Sequence, residues 1–525
     1  MSTSTQPIQF FHRGRVVAVD GVHPTRSVLD WLREDARCTG TKEGCNEGDC
    51  GACTVVIGEL AAEGESGAVG GLKLQTVNAC IQFLPTLHGK ALFTVEDLKA
   101  QTACVHDGER HSKHPVQQLH PVQQAMVDCH GSQCGFCTPG FVMSMWASYE
   151  QHGARGSRPT RQQLADELSG NLCRCTGYRP ILDAGQKMFD LPPVRLDTAP
   201  VVQALQALRT DATFDYAAPL GHRIDHFHAP VSLEAFAELR VAKPQARLLA
   251  GSTDIGLWVN KQFRDLGDIL YIGNVPELKR IDVVEQDELW IGAAVSLEDA
   301  WSAIVQRAPS LQDVWLRFAS PPIRHAGTLG GNVANGSPIG DSPPILMALD
   351  AEVELRKGHC VRRMPLTDFY VDYMNNQLQS GEFVQGIALP LSAFERQLRG
   401  YKISKRFDCD ISALCAGFAL ELDGEVVRSI RLAYGGMAAI VRRATQAEAA
   451  LVGKPWTQQT VEAAKAALAQ DFKPMTDLRA SADYRLQVAQ NLLQRFWLET
   501  RADEPLEAQE TGVWTVMPHA PAFGA

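Results

Sequence analysis

Eight of the fourteen cysteines fall into two close groups, and cysteine thiolates are ligands of both iron–sulfur clusters and zinc. In the first group Cys45, Cys50 and Cys53 have the spacing C-x4-C-x2-C, and Cys80 follows after 26 further residues. This is the spacing of a plant-type [2Fe–2S] site, in which a short loop supplies three thiolates and a distant strand supplies the fourth. Zinc is the alternative, but zinc loops favour C-x2-C pairs at both ends. The first group therefore predicts a [2Fe–2S] cluster.

The second group consists of a C-x2-C pair, Cys134 and Cys137, and a C-x-C pair, Cys173 and Cys175. If each pair stands at a helix end, the four thiolates can bind one metal ion or one cluster. Cys129 lies five residues before Cys134 and is a further candidate ligand. From spacing alone, a structural zinc site and a [2Fe–2S] cluster are both open here.

Two glycine-containing loops in the second half of the chain are candidates for binding phosphate. The run Leu248–Ile255 (LLAGSTDI) indicates a strand, a glycine turn and the start of a helix, and a helix N-terminus can bind a pyrophosphate through its backbone N–H groups. The run Gly327–Asn332 (GTLGGN) is a second loop that can approach a ligand closely. Neither has the G-x-G-x-x-G pattern of a βαβ unit, which argues against a Rossmann site. Each loop alone is more typical of an ordinary turn.

Local patterns indicate the elements that must position these residues. Ile8–His12 and Arg15–Val19 flank Gly14 as a hairpin does, and Ser27 stands at the cap position of a short helix. The loop that carries Cys45, Cys50 and Cys53 leads into a β-type run at Thr54–Ile57. Its glycines Gly44, Gly48 and Gly51 are expected to allow unusual backbone angles there.

Further along the chain, helical and mixed patterns follow in order. Helices are predicted over Pro121–Met126, Phe141–Tyr149, Thr160–Leu168 and Ile181–Phe189. A proline-containing stretch with one embedded helix comes next, and beyond residue 226 strands and helices alternate. Predicted elements there include strands at Leu248–Ala250, Glu288–Gly292, Phe418–Leu422 and Val427–Tyr434 and helices at Leu297–Arg307, Thr460–Ala469 and Ala482–Thr500.

Length and composition exclude several classes of protein. At roughly 150 residues per domain, 525 residues make about three domains. With 45% apolar and 21% charged residues the chain has the balance of a globular protein, and a net charge of −10 without a basic run argues against nucleic acid as a partner. No stretch reaches the ~18 uninterrupted apolar residues of a membrane span. Because the N-terminus lacks the pattern of a secretory signal, we expect a cytoplasmic location.

Two motifs around the second cysteine group carry a clear resemblance to the molybdenum hydroxylase family. They are GSQCGFCTPG at residues 131–140 and SGNLCRCTGYRPI at residues 169–181. Both resemble that family's signature for its second [2Fe–2S] domain, so the resemblance favours a cluster over zinc at the second group. The likeness covers residues 7–500, and the order of the domains is similar to that of the small subunit of bacterial family members that oxidise xanthine.

The resemblance implies an α+β multidomain fold in six parts. These are a β-grasp [2Fe–2S] ferredoxin domain at 1–90, a helical [2Fe–2S] domain at 91–191, a linker at 192–225, a two-part α/β FAD domain of the vanillyl-alcohol-oxidase-like type at 226–396, a C-terminal α+β flavoprotein domain at 397–505, and a tail at 506–525.

The resemblance also implies roles for individual residues. The positions that match FAD contacts are Leu248, Leu249, Ala250, Gly251, Ser252, Thr253, Asp254, Ile255, Phe318, Thr328, Leu329, Gly330, Gly331, Asn332, Asn335, Asp341 and Lys402. Lys402 has a competing interpretation, because a single lysine near a strand is usually a solvated charge. Gln133 would face the pterin of a molybdenum cofactor on a partner chain, and Ile403–Ala413 matches a mobile loop that controls the access of NAD⁺. No catalytic residue is assigned on this chain.

The function that the resemblance implies is electron transfer during the oxidation of hypoxanthine and xanthine to urate. Two [2Fe–2S] clusters and FAD would pass electrons from the molybdenum centre to NAD⁺. Since the 525 residues leave no room for a molybdenum-binding portion, we expect a large partner subunit and a complex of two small and two large subunits. The alternatives are the equivalent subunit of an aldehyde-oxidising or N-heterocycle-oxidising enzyme, or a standalone iron–sulfur flavoprotein reductase.

Overall fold

The computed structural model describes residues 6–511, apart from residues 63, 66, 102–103 and 106–115. Of the predicted C-terminal tail, residues 512–525 lie outside the described residues, as do residues 1–5 at the start of the first predicted domain. Within the described part of the chain, no helix is long and apolar enough to cross a membrane.

The first part of the chain folds as a five-stranded sheet with two short helical segments, one formed by Val28–Asp30 and Trp31–Asp35 and the other by Leu84–Leu87. In spatial order its strands are Arg15–Val19, Ile8–His12, Ala91–Phe93, Thr54–Leu60 and Leu72–Asn78. The first two strands form the predicted antiparallel hairpin, and Ile8–His12 pairs in parallel with Ala91–Phe93. The Ser27 side chain accepts a hydrogen bond from the N–H of Asp30, as the cap pattern predicted. This strand order is that of the predicted β-grasp domain.

The second part is helical and packs against the first sheet. Its helices are Asp97–Ala100, Pro121–Asp128, Thr138–Ala154, Arg161–Glu167 and Arg179–Lys187, and two short strands, Cys104–Val105 and Val116–Gln117, pair with each other. The long helix Thr138–Ala154 is almost wholly buried, with Trp146 at its centre against Phe93 of the sheet. Thr160 caps its helix through a reciprocal bond with Gln163. The four predicted helices are therefore present, with bounds shifted by a few residues.

The predicted linker contains more regular structure than its proline content indicates. The embedded helix is Ala199–Leu208, as expected, but Phe214–Leu220 is a strand that pairs with Arg223–Ala229. This strand is the edge of a sheet, where Pro219 is tolerated because an edge residue needs no partner for its missing N–H. The Phe214 ring stacks on His88 at 3.7 Å, which joins this strand to the first domain.

The flavin half consists of two sheets with helices between them. In spatial order the strands of the first sheet are Arg247–Leu249, Ile269–Tyr271, Arg223–Ala229 and Phe214–Leu220. The strands of the second sheet are Ile281–Val284, Glu288–Gly292, Phe383–Pro390, Glu352–Lys357 and Cys360–Pro365. The α-helices are Leu233–Ala242, Ile255–Asn260, Leu297–Arg307, Gln312–Arg317, Pro321–Ala326, Leu329–Asn335, Ser342–Ala348 and Leu366–Phe369. Short 3₁₀ helices lie at Pro276–Lys279, Pro309–Leu311 and Leu391–Glu395, and Tyr370–Asp372 pairs with Asn375–Asn376.

The last part is an antiparallel sheet covered by helices. Its strands are Gln397–Ile403, Leu414–Asp423, Val426–Gly435 and Arg442–Arg443, and its helices are Thr445–Leu451, Gln458–Asp471, Ala482–Thr500 and Ala508–Thr511. Phe418 and Tyr434 from the sheet and Phe496 from the long helix form an aromatic centre of the core. The sheet and its helices give the α+β domain that was expected after residue 396.

Candidate iron–sulfur and flavin sites

The first cysteine group consists of two pairs of thiols. Cys45 lies against Cys50 within the loop, and Cys53 lies against Cys80, which follows the strand Leu72–Asn78. The hydrogen bond between Cys45 and Cys50 lowers the pKa of Cys45 to about 5. The backbone N–H groups of Asp49 and Cys50 also donate to Cys45 Sγ, both at 3.3 Å. The loop thus directs N–H donors at a ligand sulfur, which stabilises the thiolate form.

In this loop, neighbouring atoms leave no room for a Cβ at Gly44 or Gly51. A Cβ at Gly44 would lie 2.7 Å from Cys50 Sγ, and a Cβ at Gly51 would lie 2.2 Å from the carbonyl oxygen of Gly170. Gly48 and Gly51 also have positive φ angles of +79° and +68°, a region that other residues rarely adopt.

Two pairs of thiols suit a [2Fe–2S] cluster, in which four cysteines hold two irons. Cys53 and Cys80 are buried, while Cys45 and Cys50 are partly exposed, so one pair faces the core and the other faces the loop. Among the described residues, no group of three or more His, Cys, Asp or Glu side chains is arranged around a single metal-ion position. Four thiols in two pairs are a donor set that fits the predicted cluster.

We expect Cys50→Ser to remove one of two [2Fe–2S] signals in electron paramagnetic resonance and to leave the other. The reason is that a serine hydroxyl replaces one of four thiolates with a much weaker ligand for iron. Cys38→Ser is the matched control, since Cys38 is a buried thiol of the same domain that belongs to neither group. Two unchanged signals in Cys50→Ser would contradict the assignment.

The second cysteine group is also arranged in two pairs, Cys134 with Cys175 and Cys137 with Cys173. Burial, together with the contact with Cys173, raises the pKa of Cys137 to about 12. Cys134 and Cys175 are exposed, and so is the neighbouring Gln133. Cys173 is buried, so the group reaches the surface of the described chain through Cys134 and Cys175.

Cys129, the further candidate ligand, stands outside these pairs. It caps the C-terminal end of the helix Pro121–Asp128, and its side chain packs against the hydrophobic core of the helical domain. The structure thus gives Cys129 a packing role.

Direct hydrogen bonds join the loops of the two cysteine groups. The N–H of Leu172, next to Cys173, donates to the carbonyl oxygen of Cys50 at 3.0 Å. Asn171 is buried, and its Nδ2 donates to the carbonyl oxygen of Gly51 at 3.0 Å. A Cβ at Gly140 would come within 2.2 Å of that same oxygen, so the two loops pack backbone against backbone. The two groups are neighbours with one peptide-to-peptide bond between their ligand segments.

The first cysteine group also contacts the flavin half. Asn260 Nδ2 donates to the carbonyl oxygen of Cys80 at 2.7 Å, and Gln82 Nε2 donates to the carbonyl oxygen of Gly251 at 3.0 Å. Asn260 ends the helix that starts directly after the first glycine loop. The first group therefore lies between the second group and the predicted flavin loops.

The two glycine loops lie close together in the structure. A Cβ at Gly251 would lie only 1.7 Å from the carbonyl oxygen of Ala326, just before the second loop. Asn335 Nδ2 donates to Asp254 Oδ2 at 3.2 Å, which joins the helices that follow the two loops. Thr328 Oγ1 accepts from the N–H of Gly331 and thereby caps the second helix.

In both loops, polar atoms lack hydrogen-bond partners in the described part of the chain. Ser252 Oγ and Asn332 Oδ1 are buried and have no hydrogen-bond partner among the described residues. Ser252 also has a φ of +64°, a strained conformation for a residue with a Cβ that is found preferentially at ligand sites. Buried polar groups are normally satisfied, so these atoms fit a polar ligand such as the phosphates or ribityl chain of FAD.

The remaining residues that were predicted to contact FAD are core residues, helix residues or backbone hydrogen-bond acceptors. Leu249 is a core residue at the end of the strand Arg247–Leu249, Ile255 begins the helix Ile255–Asn260, and the remaining residues of 248–255 lie at or between these elements. A Cβ at Gly330 would lie 2.4 Å from Ala293 Cβ, and Leu329 is buried in the core. The carbonyl oxygen of Phe318 accepts from Arg324 Nη1 at 2.8 Å.

Lys402 is a buried ion-pair partner, which excludes the solvated-charge interpretation. Its Nζ donates to Asp341 Oδ2 at 2.6 Å and to Ser412 Oγ at 2.7 Å, and Ser412 Oγ donates to Asp341 Oδ1 at 2.6 Å. Ser412 lies in the predicted mobile loop, so two predicted flavin residues and this loop share one network. Removal of either Lys402 or Asp341 would leave the other buried charge without its partner.

The predicted NAD⁺ access loop contacts three parts of the chain. Arg406 lies 3.6 Å from Asp49 of the first cysteine loop, and the Cys409 thiol donates to the carbonyl oxygen of Ser169 in the helical domain. Arg317 of the flavin domain donates to the carbonyl oxygen of Phe407 and lies over its ring. A control of access by this loop stays a prediction.

Three residues that join the sites were not identified from the sequence: Asn171, Asn260 and Gln82. Asn171 lies within the quoted SGNLCRC run and could have been suspected from its place beside Cys173. Asn260 and Gln82 lie on a helix and in a turn without any motif. Their hydrogen-bond partners are 180 and 169 residues away, so no local pattern indicates them.

Four family descriptions match the chain in the expected order. Residues 10–83 match a 2Fe-2S iron-sulfur cluster binding domain, and residues 107–186 match a [2Fe-2S] binding domain. Residues 222–392 match the FAD binding domain in molybdopterin dehydrogenase, and residues 399–500 match the CO dehydrogenase flavoprotein C-terminal domain. The chain belongs to the molybdenum hydroxylase family as an iron–sulfur and FAD protein. The predicted fold class is confirmed, and the second group lies in a [2Fe–2S] domain.

The chain is similar to part of the length of several curated proteins. A xanthine dehydrogenase of Emericella nidulans is 30% identical over 93% of this chain and 38% of its own length. Aldehyde oxidase 4 of Cavia porcellus is 28% identical over 95% of this chain and 40% of its own length. The chain thus spans about two fifths of the curated relatives that it matches. A solved carbon monoxide dehydrogenase chain from Hydrogenophaga pseudoflava is 30% identical, with 51% of this chain and 94% of that chain covered and a TM-score of 0.49.

Proposed function

We propose that this chain is the electron-transfer part of a xanthine dehydrogenase, which passes electrons from a molybdenum centre on a partner chain to FAD and on to NAD⁺. The observation that carries the proposal is the unbroken series of contacts from the exposed second cysteine group, through the first group, to the flavin loops. Xanthine dehydrogenases are among its relatives at 30% identity, which favours this substrate over the alternatives.

In the proposed path, each electron carrier would be held by its own set of residues. Cys134, Cys137, Cys173 and Cys175 would hold the cluster that receives electrons, because this group is partly exposed beside Gln133. Cys45, Cys50, Cys53 and Cys80 would hold the second carrier, and the two glycine loops would hold FAD. When bound, the clusters supply one-electron steps, and FAD supplies the conversion to the two-electron transfer that NAD⁺ requires.

The protein's own contribution is spacing and orientation. Asn171 and Leu172 hold the two cysteine loops together, and Asn260 holds the first group against the flavin domain. The buried Lys402–Asp341 pair positions the end of the 403–413 loop beside the flavin residues. We propose that this loop governs the access of NAD⁺.

The partner would be a large subunit that carries the molybdenum cofactor, with two small and two large subunits in the complex. The exposed face formed by Gln133, Cys134 and Cys175 is the surface that this subunit would cover. We place the complex in the cytoplasm.

A second candidate substrate class is an aldehyde, because an aldehyde oxidase is among the relatives. Purification of the native complex followed by metal analysis and substrate assays tests both. We expect a molybdenum-containing large subunit, NAD⁺-dependent oxidation of xanthine and no comparable oxidation of aldehydes. Turnover of aldehydes alone would replace the substrate in the proposal, and a chain that purifies active without molybdenum would indicate a standalone iron–sulfur flavoprotein reductase.

A further inference from the structure

Asn78 is a buried polar residue beside the first cysteine group that neither motif includes. It is the last residue of the strand Leu72–Asn78. In the sheet it lies opposite Thr54, the residue that follows Cys53. Its side chain is 1% exposed. Cys80 follows two residues later, so Asn78 belongs to the segment that brings the two buried thiols together.

The Asn78 carboxamide is buried without a hydrogen-bond partner in the part of the chain that the structure describes. Neither its Nδ2 nor its Oδ1 has one among the residues that the structure describes. Asn78 lies next to the Cys53 segment, since it pairs with Thr54 in the sheet and the N–H of the following residue, Ala79, donates to the carbonyl oxygen of Cys53 at 3.2 Å. Buried amide groups are rarely left unsatisfied, so a buried carboxamide without a partner beside the ligand segments is expected to gain one when the first group binds its cluster.

We propose that the Asn78 Nδ2–H group donates a hydrogen bond to the sulfur of Cys53 when the first cluster is bound, and that Asn78 thereby sets the reduction potential of that cluster. The proposal rests on the proposed assignment of Cys45, Cys50, Cys53 and Cys80 as cluster ligands. A ligand thiolate carries more negative charge than the thiol and is the stronger acceptor. Binding of the cluster would therefore satisfy the orphan donor.

The direction of the effect follows from charge. Reduction adds one electron to the cluster and increases the negative charge on its sulfurs, so a hydrogen bond to a sulfur stabilises the reduced state more than the oxidised state. Hydrogen bonds to the sulfurs are among the factors that set iron–sulfur potentials. Removal of the donor should make the first cluster harder to reduce and leave the second cluster unaffected.

The test is a redox titration of both clusters, followed by electron paramagnetic resonance, in Asn78→Leu and Asn78→Ala. Leucine has a similar volume and no donor, and alanine lacks the donor without risk of a clash. Thr76→Val is the matched control, because Thr76 is a buried polar residue of the same strand that bonds to His325 instead of a cysteine. We expect both Asn78 variants to shift the reduction equilibrium of the first cluster by about tenfold toward the oxidised state, which is 59 mV for a one-electron couple.

The outcomes separate the proposals. An unchanged potential in an iron-replete Asn78 variant, or an equal shift of both clusters, would overturn the role of Asn78 and leave the proposed function intact. A shift in Thr76→Val of the same size would show that any lost polar group in this strand has the effect, and would also overturn it. If Cys50→Ser leaves both signals of the wild-type protein unchanged, the cluster assignment fails and this inference fails with it.

Discussion

Cys134→Ser should stop the transfer of electrons from xanthine to NAD⁺ while the flavin still oxidises NADH. The partly exposed second cysteine group would be the entry point, and the flavin loops lie beyond the first group, so loss of the entry cluster isolates the flavin from the substrate side only. The measurement compares xanthine-dependent reduction of NAD⁺ with oxidation of NADH by an artificial acceptor. We expect the first rate to fall to background and the second to stay near that of the wild type.

Two controls make this result interpretable. Cys129→Ser changes a partly buried thiol of the same domain that packs against its core, and it should retain both activities. The FAD content of Cys134→Ser must also match that of the wild type, because a bound cluster links the two ends of the helical domain and its loss can affect folding. Normal xanthine turnover in a variant that lacks this cluster would refute the proposed path and would make the Cys45 group the entry point.

The elements that the sequence predicted best are helices whose first turn is fixed by a local capping residue. The helices Leu297–Arg307 and Ala482–Thr500 were predicted with the bounds that the structure has. In both, a serine at the cap position accepts a hydrogen bond from the first turn, which fixes the start of the helix locally. The spacing of the cysteines did not predict which thiols pair, because Cys53 lies against Cys80, 27 residues away, and not against Cys50, its neighbour in the loop.

What the sequence could not predict depends on distant partners. Lys402 could not be placed, because its partner Asp341 lies 61 residues away and a buried and a solvated lysine look alike in a sequence. The strand Phe214–Leu220 contains Pro219 and was predicted to be part of a linker. A proline occurs in linkers and in edge strands alike, so composition does not distinguish the two. Asn171 stabilises the junction of the cysteine loops through a carbonyl group 120 residues away, and backbone acceptors leave no mark in a sequence.

Gly331→Leu should yield protein that retains its iron but has lost most of its FAD. A Cβ at Gly331 would lie 2.9 Å from Thr328 Oγ1 and 3.8 Å from Ala250 Cβ, so a larger side chain has to extend into the space between the two glycine loops. That space is where the unpartnered Ser252 Oγ and Asn332 Oδ1 indicate a ligand. Overpacking typically costs about 1–3 kcal/mol, and about 1.4 kcal/mol is a tenfold loss of affinity, so we expect FAD to bind roughly ten to a hundred times more weakly.

The measurement is the ratio of FAD to iron in purified Gly331→Leu and Gly331→Ala. Alanine and leucine both favour a helix more than glycine does, so the substitutions do not destabilise the helix Leu329–Asn335 through their propensity. A graded loss, small for alanine and large for leucine, would therefore report the space that the ligand needs. Iron content serves as the internal control, because the cysteine groups lie on other segments of the chain. Normal flavin content in Gly331→Leu would show that this loop does not hold FAD and would remove the second glycine loop from the proposed site.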